Sequence, residues 1–279
     1  MVLDPSLEKL AVPRTRPRTF AIFAAALSLL FCTTLTASAD AAKVIGIDVS
    51  RFQEEIDWKR VASDRIDFAF VQASRGSGDD CTVRPRRCGA DRWYAFNHRN
   101  ARAVGIPVGA YHRAFVNGDS LYEAKKDARE EAAVFLRRVG HLRRGDLLPV
   151  LDLEPPFDGL TPRQLRGWTR VWLERVRREL GVKPMIYTSY YGWLPTGNTR
   201  IFARAGHRLW VAHWRVRSPL VPAHDWSGRG WSVWQFTSSG RVRGIRGPVD
   251  LDRLGTSLAD VMVGDPVPLR RWGQLPARR

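Results

Sequence analysis

Two carboxylates lie two residues apart near the middle of the chain, at the end of an apolar segment. Asp152 and Glu154 close the run Leu147-Leu-Pro-Val-Leu-Asp-Leu-Glu. This composition predicts a buried strand, and the two-residue period of a strand directs both carboxyl groups to one face. Two neighbouring acids in differently solvated positions can divide into a proton donor and an ionised partner. Acid–base cleavage of a glycosidic bond needs such a pair, although the spacing alone also fits a strand that ends in a polar loop.

Two more acids occupy other predicted strands. Asp48 ends the first apolar run of the mature chain, and Asp250 lies in the last one. If the strands close into a barrel, the first and last are neighbours, and all four acids meet at one rim. No cluster of histidines or cysteines accompanies them, so we predict glycosidic chemistry and no metal site. Asp57 and Asp67 need no such role, because helix capping or solvation accounts for them.

Aromatic residues fall near the ends of the same predicted strands. Trp168 and Trp172 instead fall within a predicted helix, where packing into the core explains them. His112 is expected to be a hydrogen-bonded histidine at a strand end rather than a base. Flat aromatic faces can stack on sugar rings, and this predicts a carbohydrate-binding cleft whose candidate residues are Tyr111, Tyr187, Trp210, Trp214 and Trp234.

Apolar, β-branched runs recur along the chain and alternate at first with helical patterns. The helical patterns cover 92–104, 120–139 and 161–181, the last opened by Thr161-Pro162 and closed by Gly181. Such alternation implies parallel strands joined by right-handed crossovers. Later intervals are short, so we predict a closed or nearly closed β/α barrel with reduced last helices, or alternatively a doubly wound open sheet. The predicted strands are 44–48, 68–73, 107–112, 147–154, 184–188, 209–214, 232–236 and 248–251.

The amino terminus has the features of an export signal. Three arginines precede an uncharged run at 20–35, and Ala37-Ser-Ala follows as a small-x-small cleavage site. We therefore predict a signal peptide at 1–39 and a secreted protein with no stable membrane insertion after cleavage; a retained N-terminal membrane anchor is the alternative.

Basic residues greatly outnumber acidic ones. The 279 residues include 45 Lys and Arg against 28 Asp and Glu, which gives a formal charge of +17. Removal of 1–39 takes away four basic and two acidic residues and leaves +15. Such a charge favours adhesion to polyanions. For an exported protein we predict anionic wall polymers, and no nucleic acid, as the partners.

Two cysteines and a basic tail complete the mature chain. Cys81 and Cys88 lie in a stretch that supplies no acidic or histidine metal ligands, so we predict a disulfide between them. From 263 to 279 the chain is rich in proline and arginine, and we predict a disordered tail.

Six segments in order resemble the glycoside hydrolase family 25 lysozymes, over about Lys43 to Met262. Each segment is short, and it is their common order that makes the resemblance specific. They are Gly46-Ile-Asp-Val-Ser, Gln53-x-x-Ile-Asp-Trp, Val108-Gly-Ala-Tyr-His, Asp152-x-Glu, Trp234-Gln-Phe-Thr-Ser-Ser-Gly and Val249-Asp-Leu.

The resemblance implies a single TIM-like (β/α)5(β)3 barrel at 40–262 of the α/β class. It implies hydrolysis of the β-1,4 bond between N-acetylmuramic acid and N-acetylglucosamine in peptidoglycan, by a monomer without a cofactor. Glu154 corresponds to the general acid/base of the family, and Asp152 to a carboxylate that orients or stabilises the substrate. Asp48 and Asp250 correspond to further acids of the cleft, and Gln235 joins the expected substrate contacts.

The chain departs from the family pattern beside the expected cleft. Glu54 stands where the family usually has glycine, and Arg51-Phe52 stands where an aromatic residue or histidine often follows the serine. Arg75 replaces an acid after the second strand. These differences bear on substrate preference rather than on the four acids.

Two other functions fit parts of the sequence. A chitinase-like barrel also carries alternate acids on its fourth strand, but its longer acidic run is absent here. A basic wall-binding protein without catalytic activity would need the charge but not Glu154.

Overall fold

The computed structural model describes residues 44–77, 89–157 and 159–264. The predicted signal peptide, the Cys81–Cys88 pair and all but the first two residues of the predicted tail lie outside the described residues. Within the described ranges, no helix combines the length and apolar character needed to span a bilayer.

Eight strands form a closed barrel in sequential order. Neighbours from the first strand to the seventh are parallel, and the last strand runs antiparallel to both of its neighbours. This closure confirms the predicted barrel and excludes the open sheet. The strands are β1 (Ile45–Val49), β2 (Phe68–Arg75), β3 (Val108–Arg113), β4 (Val150–Asp152), β5 (Met185–Ser189), β6 (Leu209–Ala212), β7 (Val233–Gly240) and β8 (Val249–Leu254).

Helices follow each of the first four strands and cover the barrel. They are α1 (Trp58–Ala62), α2 (Tyr94–Ala103), α3 (Leu121–Val139) and α4 (Pro162–Leu180). Asp57 caps α1 by accepting from the Arg60 amide, which confirms its predicted capping role. At α4, Thr161 and Gln164 form a reciprocal capping box, and Gly181 ends the helix in the left-handed conformation.

The second half of the chain has only short helices, as the (β/α)5(β)3 pattern requires. They are α5 (Tyr190–Trp193), α6 (Ile201–Arg204) and α7 (Pro222–Gly228), with 3-10 turns at 194–196 and 258–261. The turn α7 is left-handed, because residues 223–227 all have φ between +49° and +60°. The buried ring of Trp226 anchors this turn by donating from Nε1 to the His207 carbonyl at 2.7 Å.

Large side chains fill the inside of the barrel. Phe68, Phe70 and Trp210 pack there, with 4.5 Å between the ring centroids of Phe70 and Trp210. A Cβ added at Gly46 would come within 2.3 Å of the Phe68 ring, so this strand position requires glycine. These side chains close the middle of the barrel to a ligand.

A second apolar layer lies between the strands and the helices. Trp168 and Trp172 are fully buried in it, which confirms their predicted packing role. His112 also faces this layer, where Nδ1 lies 2.8 Å from the Ser74 hydroxyl and Nε2 lies 2.6 Å from Glu131. The barrel packing extends past the predicted boundary at 262, because Val263 is buried and donates its amide to the Asp146 carbonyl.

Candidate active site

A cavity of about 320 Å³ opens at the end of the barrel where β1 to β7 finish and β8 begins. Parallel strands present the residues that follow them at this end, which is where barrels of this kind build their sites. Nine of the ten residues predicted for catalysis or for the carbohydrate-binding cleft line the cavity, all except Trp234, and their roles stay predictions. The lining comprises Asp48, Ser50, Phe52, Gln72, Arg75, Tyr111, Arg113, Asp152, Glu154, Tyr187, Trp210, Trp214, Gln235 and Asp250.

Asp48 and Asp250 are direct partners across the antiparallel pair of β1 and β8. This pairing puts both carboxyl groups on the cavity side. The Gln235 amide donates to Asp48 Oδ2 at 2.8 Å. Burial, followed by the charges of Asp252 and Asp250, raises the pKa of Asp48. Burial and the nearby Glu154 raise the pKa of Asp250 to about 6.

Asp152 and Glu154 face the cavity, but only Asp152 belongs to a strand. The strand β4 contains three residues and ends at Asp152, whereas a strand through Glu154 was expected. Prolines 155 and 156 shorten it, because they have no N–H to continue the ladder. The two side chains consequently differ in solvation, with 8% of Asp152 and 39% of Glu154 exposed.

The carboxyl group of Asp152 lies close to that of Glu154, and this proximity affects its ionisation. Burial first, and then the charge of Glu154, raises the pKa of Asp152; the positive charges of Arg113 and Arg75 act against this rise. Two neighbouring acids with different burial can provide a proton donor and an ionised partner at the same time.

Gln235 joins three parts of the cavity wall. Its Oε1 accepts from the Tyr187 hydroxyl at 3.0 Å and from Trp214 Nε1 at 2.9 Å, while its Nε2 holds Asp48. Trp214 is nearly half exposed, so its ring is accessible to a ligand. Tyr111 lies deeper and contacts the Trp210 ring edge-on.

Trp234 does not line the cavity, contrary to the prediction. It precedes Gln235 on β7, and the alternation of side chains along a strand turns it to the outer face. There its Nε1 donates to the His213 carbonyl at 2.8 Å.

Arg113 and Asp252 are charged residues at this site that were not predicted from the sequence. Arg113 lies in the cavity next to Asp152 and Glu154, two residues after Tyr111 on the same strand. Asp252 lies beneath the cavity, fully buried, and accepts from Trp210 Nε1 at 2.8 Å. The same two-residue period that links Asp250 to Asp252, and Tyr111 to Arg113, could have identified both.

The departures from the family pattern divide between two places. Arg75 and Phe52 line the cavity, and the Phe52 side chain is 73% exposed. Glu54 instead lines a larger hollow of about 850 Å³ between α1, α2 and residues 244–246. None of the four acids borders that hollow, whereas all four line the smaller cavity.

Comparison with known proteins relates the whole barrel to one family. The sequence profile of glycosyl hydrolases family 25 matches residues 47–245. The uncharacterized protein YegX of Escherichia coli strain K12 is 34% identical, over 74% of this chain and 68% of YegX. Lysozyme M1 of Streptomyces globisporus is 31% identical, over 80% of this chain and 72% of that protein. The crystal structure of the bacterial lysozyme from Streptomyces coelicolor superposes with a TM-score of 0.68 at 32% identity, covering 80% of this chain and 96% of that chain.

Proposed function

Because the chain belongs to glycosyl hydrolases family 25 and is therefore a glycoside hydrolase of the lysozyme type, we propose that it cleaves a specific peptidoglycan bond. The bond is the β-1,4 linkage from N-acetylmuramic acid to N-acetylglucosamine. The observation that carries the proposal is the meeting of Asp152 and Glu154 in one cavity with Asp48 and Asp250.

Glu154 is the general acid and base of the proposed reaction. As an acid it protonates the oxygen of the leaving N-acetylglucosamine while the bond from that oxygen to the anomeric carbon breaks. As a base it then accepts a proton from the water that becomes the new hydroxyl. Its exposure of 39% fits this role, since the carboxyl must reach both a substrate oxygen and water.

The other three acids stabilise the substrate in this proposal. Asp152 is more buried and contacts Glu154, which suits a carboxylate that orients the acetamido group of the reacting sugar. Asp48 and Asp250 lie on the opposite side of the barrel rim, on β1 and β8. The negative charge of this pair stabilises the positive charge that develops at the sugar in the transition state.

Aromatic and amide groups bind the sugar chain. We assign this role to Tyr111, Tyr187, Trp214 and Gln235, because all four line the cavity and both Tyr187 and Trp214 donate hydrogen bonds to Gln235. Trp214 offers an exposed ring for stacking on a sugar face.

Export and wall adsorption complete the proposal. A secreted monomer comprises the catalytic barrel at 40–262 and the basic tail at 263–279, after removal of 1–39 as a signal peptide. A disulfide joins Cys81 and Cys88. The large positive charge supports adsorption to peptidoglycan that contains anionic polymers.

The test compares Glu154→Gln with the wild type on purified peptidoglycan and on chitin. We expect Glu154→Gln to reduce the rate of reducing-end release from peptidoglycan by a factor of about 10³, within the range of acid–base catalysis. The control Glu174→Gln, at an exposed position on α4, keeps the wild-type rate. A Glu154→Gln rate equal to that of wild type would overturn the catalytic assignment, and cleavage of chitin alone would favour a chitinase-like activity.

A further inference from the structure

Arg113 lies between the two carboxylates of the proposed acid–base pair. Its Nε is 3.1 Å from Glu154 Oε1 and 3.8 Å from Asp152 Oδ2. The Arg113 side chain is only 15% exposed, so water weakens these interactions less than at an open surface. Arg113 is therefore placed to affect both groups at once.

The same guanidinium also holds the backbone that carries Glu154. Its NH1 group donates to the carbonyls of Ala114 and Glu154 at 3.0 Å, and its NH2 group donates to the Pro155 carbonyl at 3.0 Å. Glu154 lies beyond the end of β4, and Pro155 after it has no N–H to donate. Arg113 thus supplies contacts to the Glu154 segment that a strand ladder would otherwise provide.

Arg113 is itself held by an aromatic ring. The guanidinium carbons of Arg113 and Arg75 lie 5.3 Å and 4.7 Å from the centroid of Phe115. The Phe115 amide donates to both carboxyl oxygens of buried Glu131, at 3.1 Å and 3.2 Å. The contacts that locate Arg113 therefore continue into the packed layer between β3 and α3, which restricts its side chain to one geometry.

We propose that Arg113 is a positioning residue that fixes the carboxyl of Glu154 relative to Asp152 for the cleavage reaction. The inference rests on the proposed function of Glu154. The planar guanidinium of arginine suits this task, because its several N–H groups can hold a carboxylate and three carbonyls in fixed directions. A lysine in the same place would keep the charge but lose the fixed directions.

The charge of Arg113 has a measurable consequence for the pair. The charges of Glu154, Arg113 and Arg75 act on Asp152. Asp48 interacts with Asp152, and Asp250 interacts with Glu154. The negative groups favour retention of a proton, whereas the two arginines favour its loss. Removal of the Arg113 charge is therefore expected to raise the apparent pKa values in the pH dependence of kcat. A residue that contributes only to folding would not produce this shift.

The experiment measures kcat, KM and the pH–rate profile on soluble peptidoglycan fragments for Arg113→Met and Arg113→Lys. The control is Arg253→Met, which removes an arginine stacked on Trp234 and Phe236 outside the cavity. We expect Arg113→Met to lower kcat about 100-fold with little change in KM, as small misplacements of reacting groups do. Arg113→Lys recovers part of kcat, and Arg253→Met retains both parameters.

Two results would overturn the inference. The first is a kcat of Arg113→Met equal to that of wild type, measured below the unfolding temperature of the variant. The second is a lowered kcat whose pH profile is not shifted and which Arg113→Lys does not recover. Glu154→Gln is measured in the same assay. If Glu154→Gln keeps full activity, the proposed function fails together with the inference; if it is inactive while Arg113→Met is fully active, only the inference fails.

Discussion

At the residue scale, the site combines acids whose surroundings differ although their side chains are alike. Asp152 is buried and contacts a second carboxyl, while Glu154 is partly exposed and held by Arg113. Asp48 is held by an amide donor from Gln235. Separate environments of this kind allow neighbouring carboxyl groups to hold different protonation states at one pH.

A buried pair behind the site predicts a pH-dependent stability. Burial raises the pKa of Glu131 to about 8 and lowers the pKa of His112 to about 3. At neutral pH Glu131 therefore donates its proton to His112 Nε2, and Nδ1 donates to the Ser74 hydroxyl. Because the folded state retains the Glu131 proton, the associated stability is present at low pH and is lost as pH rises from about 4.5 to about 8. The lowered pKa of His112 acts in the opposite direction, because it makes the folded state less stable as pH falls below 6.5, the ordinary pKa of histidine.

Glu131→Gln tests this prediction, because the amide keeps a donor for His112 but carries no charge. We expect the free energy of unfolding of Glu131→Gln, relative to wild type, to increase by about 1.4 kcal/mol per pH unit between pH 5 and 8, and then to level off. Urea unfolding across pH 5 to 9 measures it. Glu130→Gln is the control on the same helix, and a Glu131→Gln difference that does not vary with pH would contradict the prediction.

At the element scale, the strand ends position most of the cavity side chains. The short connections after β5 take conformations that let them pack against the barrel. The most unusual of these connections is α7, where five consecutive residues have left-handed backbone conformations. Each such residue other than glycine costs roughly 1–2 kcal/mol of backbone strain. Burial of Trp226, its hydrogen bond to His207 and the bond from the Ala223 amide to Asn198 Oδ1 offset that cost.

Glycine in this turn is expected to stabilise the protein. His224 is exposed, with φ of +53°, so His224→Gly removes strain without the loss of a buried contact. We expect stability to rise by about 1 kcal/mol, which corresponds to a Tm increase of roughly 2–4 °C in a domain of this size. Arg178→Gly, at an exposed position in right-handed α4, serves as the control and lowers Tm. A lower Tm for His224→Gly would show that the turn is not left-handed in solution.

The elements differ in how far the sequence could predict them. All eight strands and the three longer helices follow from period and capping, because Ser120, Thr161 and Gly181 mark the helix ends locally. The handedness of α7 depends on where Trp226 is buried, and the local amino-acid sequence does not indicate this. The role of Arg113 also depends on tertiary contacts, since its partners are about 40 residues away in the chain. Strand period was sufficient to bring the four acids to one rim, but not to show what holds Glu154.

At the scale of the whole molecule, a strongly basic chain carries a cavity rich in acids. The formal charge is +17, whereas the cavity is lined by four carboxyl groups and two arginines. A large positive charge attracts the molecule to anionic polymers over long distances. In the proposed function the acids act only at contact, once a sugar chain has entered the cavity. Adsorption and cleavage should therefore respond differently to salt.

Salt dependence of wall adsorption tests this division. The variant Glu154→Gln is used so that the wall stays intact during the measurement. We expect the bound fraction on walls that contain anionic polymers to fall steeply between about 0.1 M and 1 M salt, because the screening length falls from about 10 Å to about 3 Å. Uncharged chitin is the control and shows weak, salt-independent binding. Equal adsorption at both salt concentrations would rule out charge as the cause.

The bond that is cut provides the most direct test of the central claim. Muropeptides released from a defined peptidoglycan by the wild-type protein are reduced with borohydride and identified by mass spectrometry. Cleavage between N-acetylmuramic acid and N-acetylglucosamine leaves N-acetylmuramic acid at every new reducing end, so we expect reduced muramic acid there and none from Glu154→Gln. Reduced glucosamine at the new ends, or products unchanged in Glu154→Gln, would contradict the account.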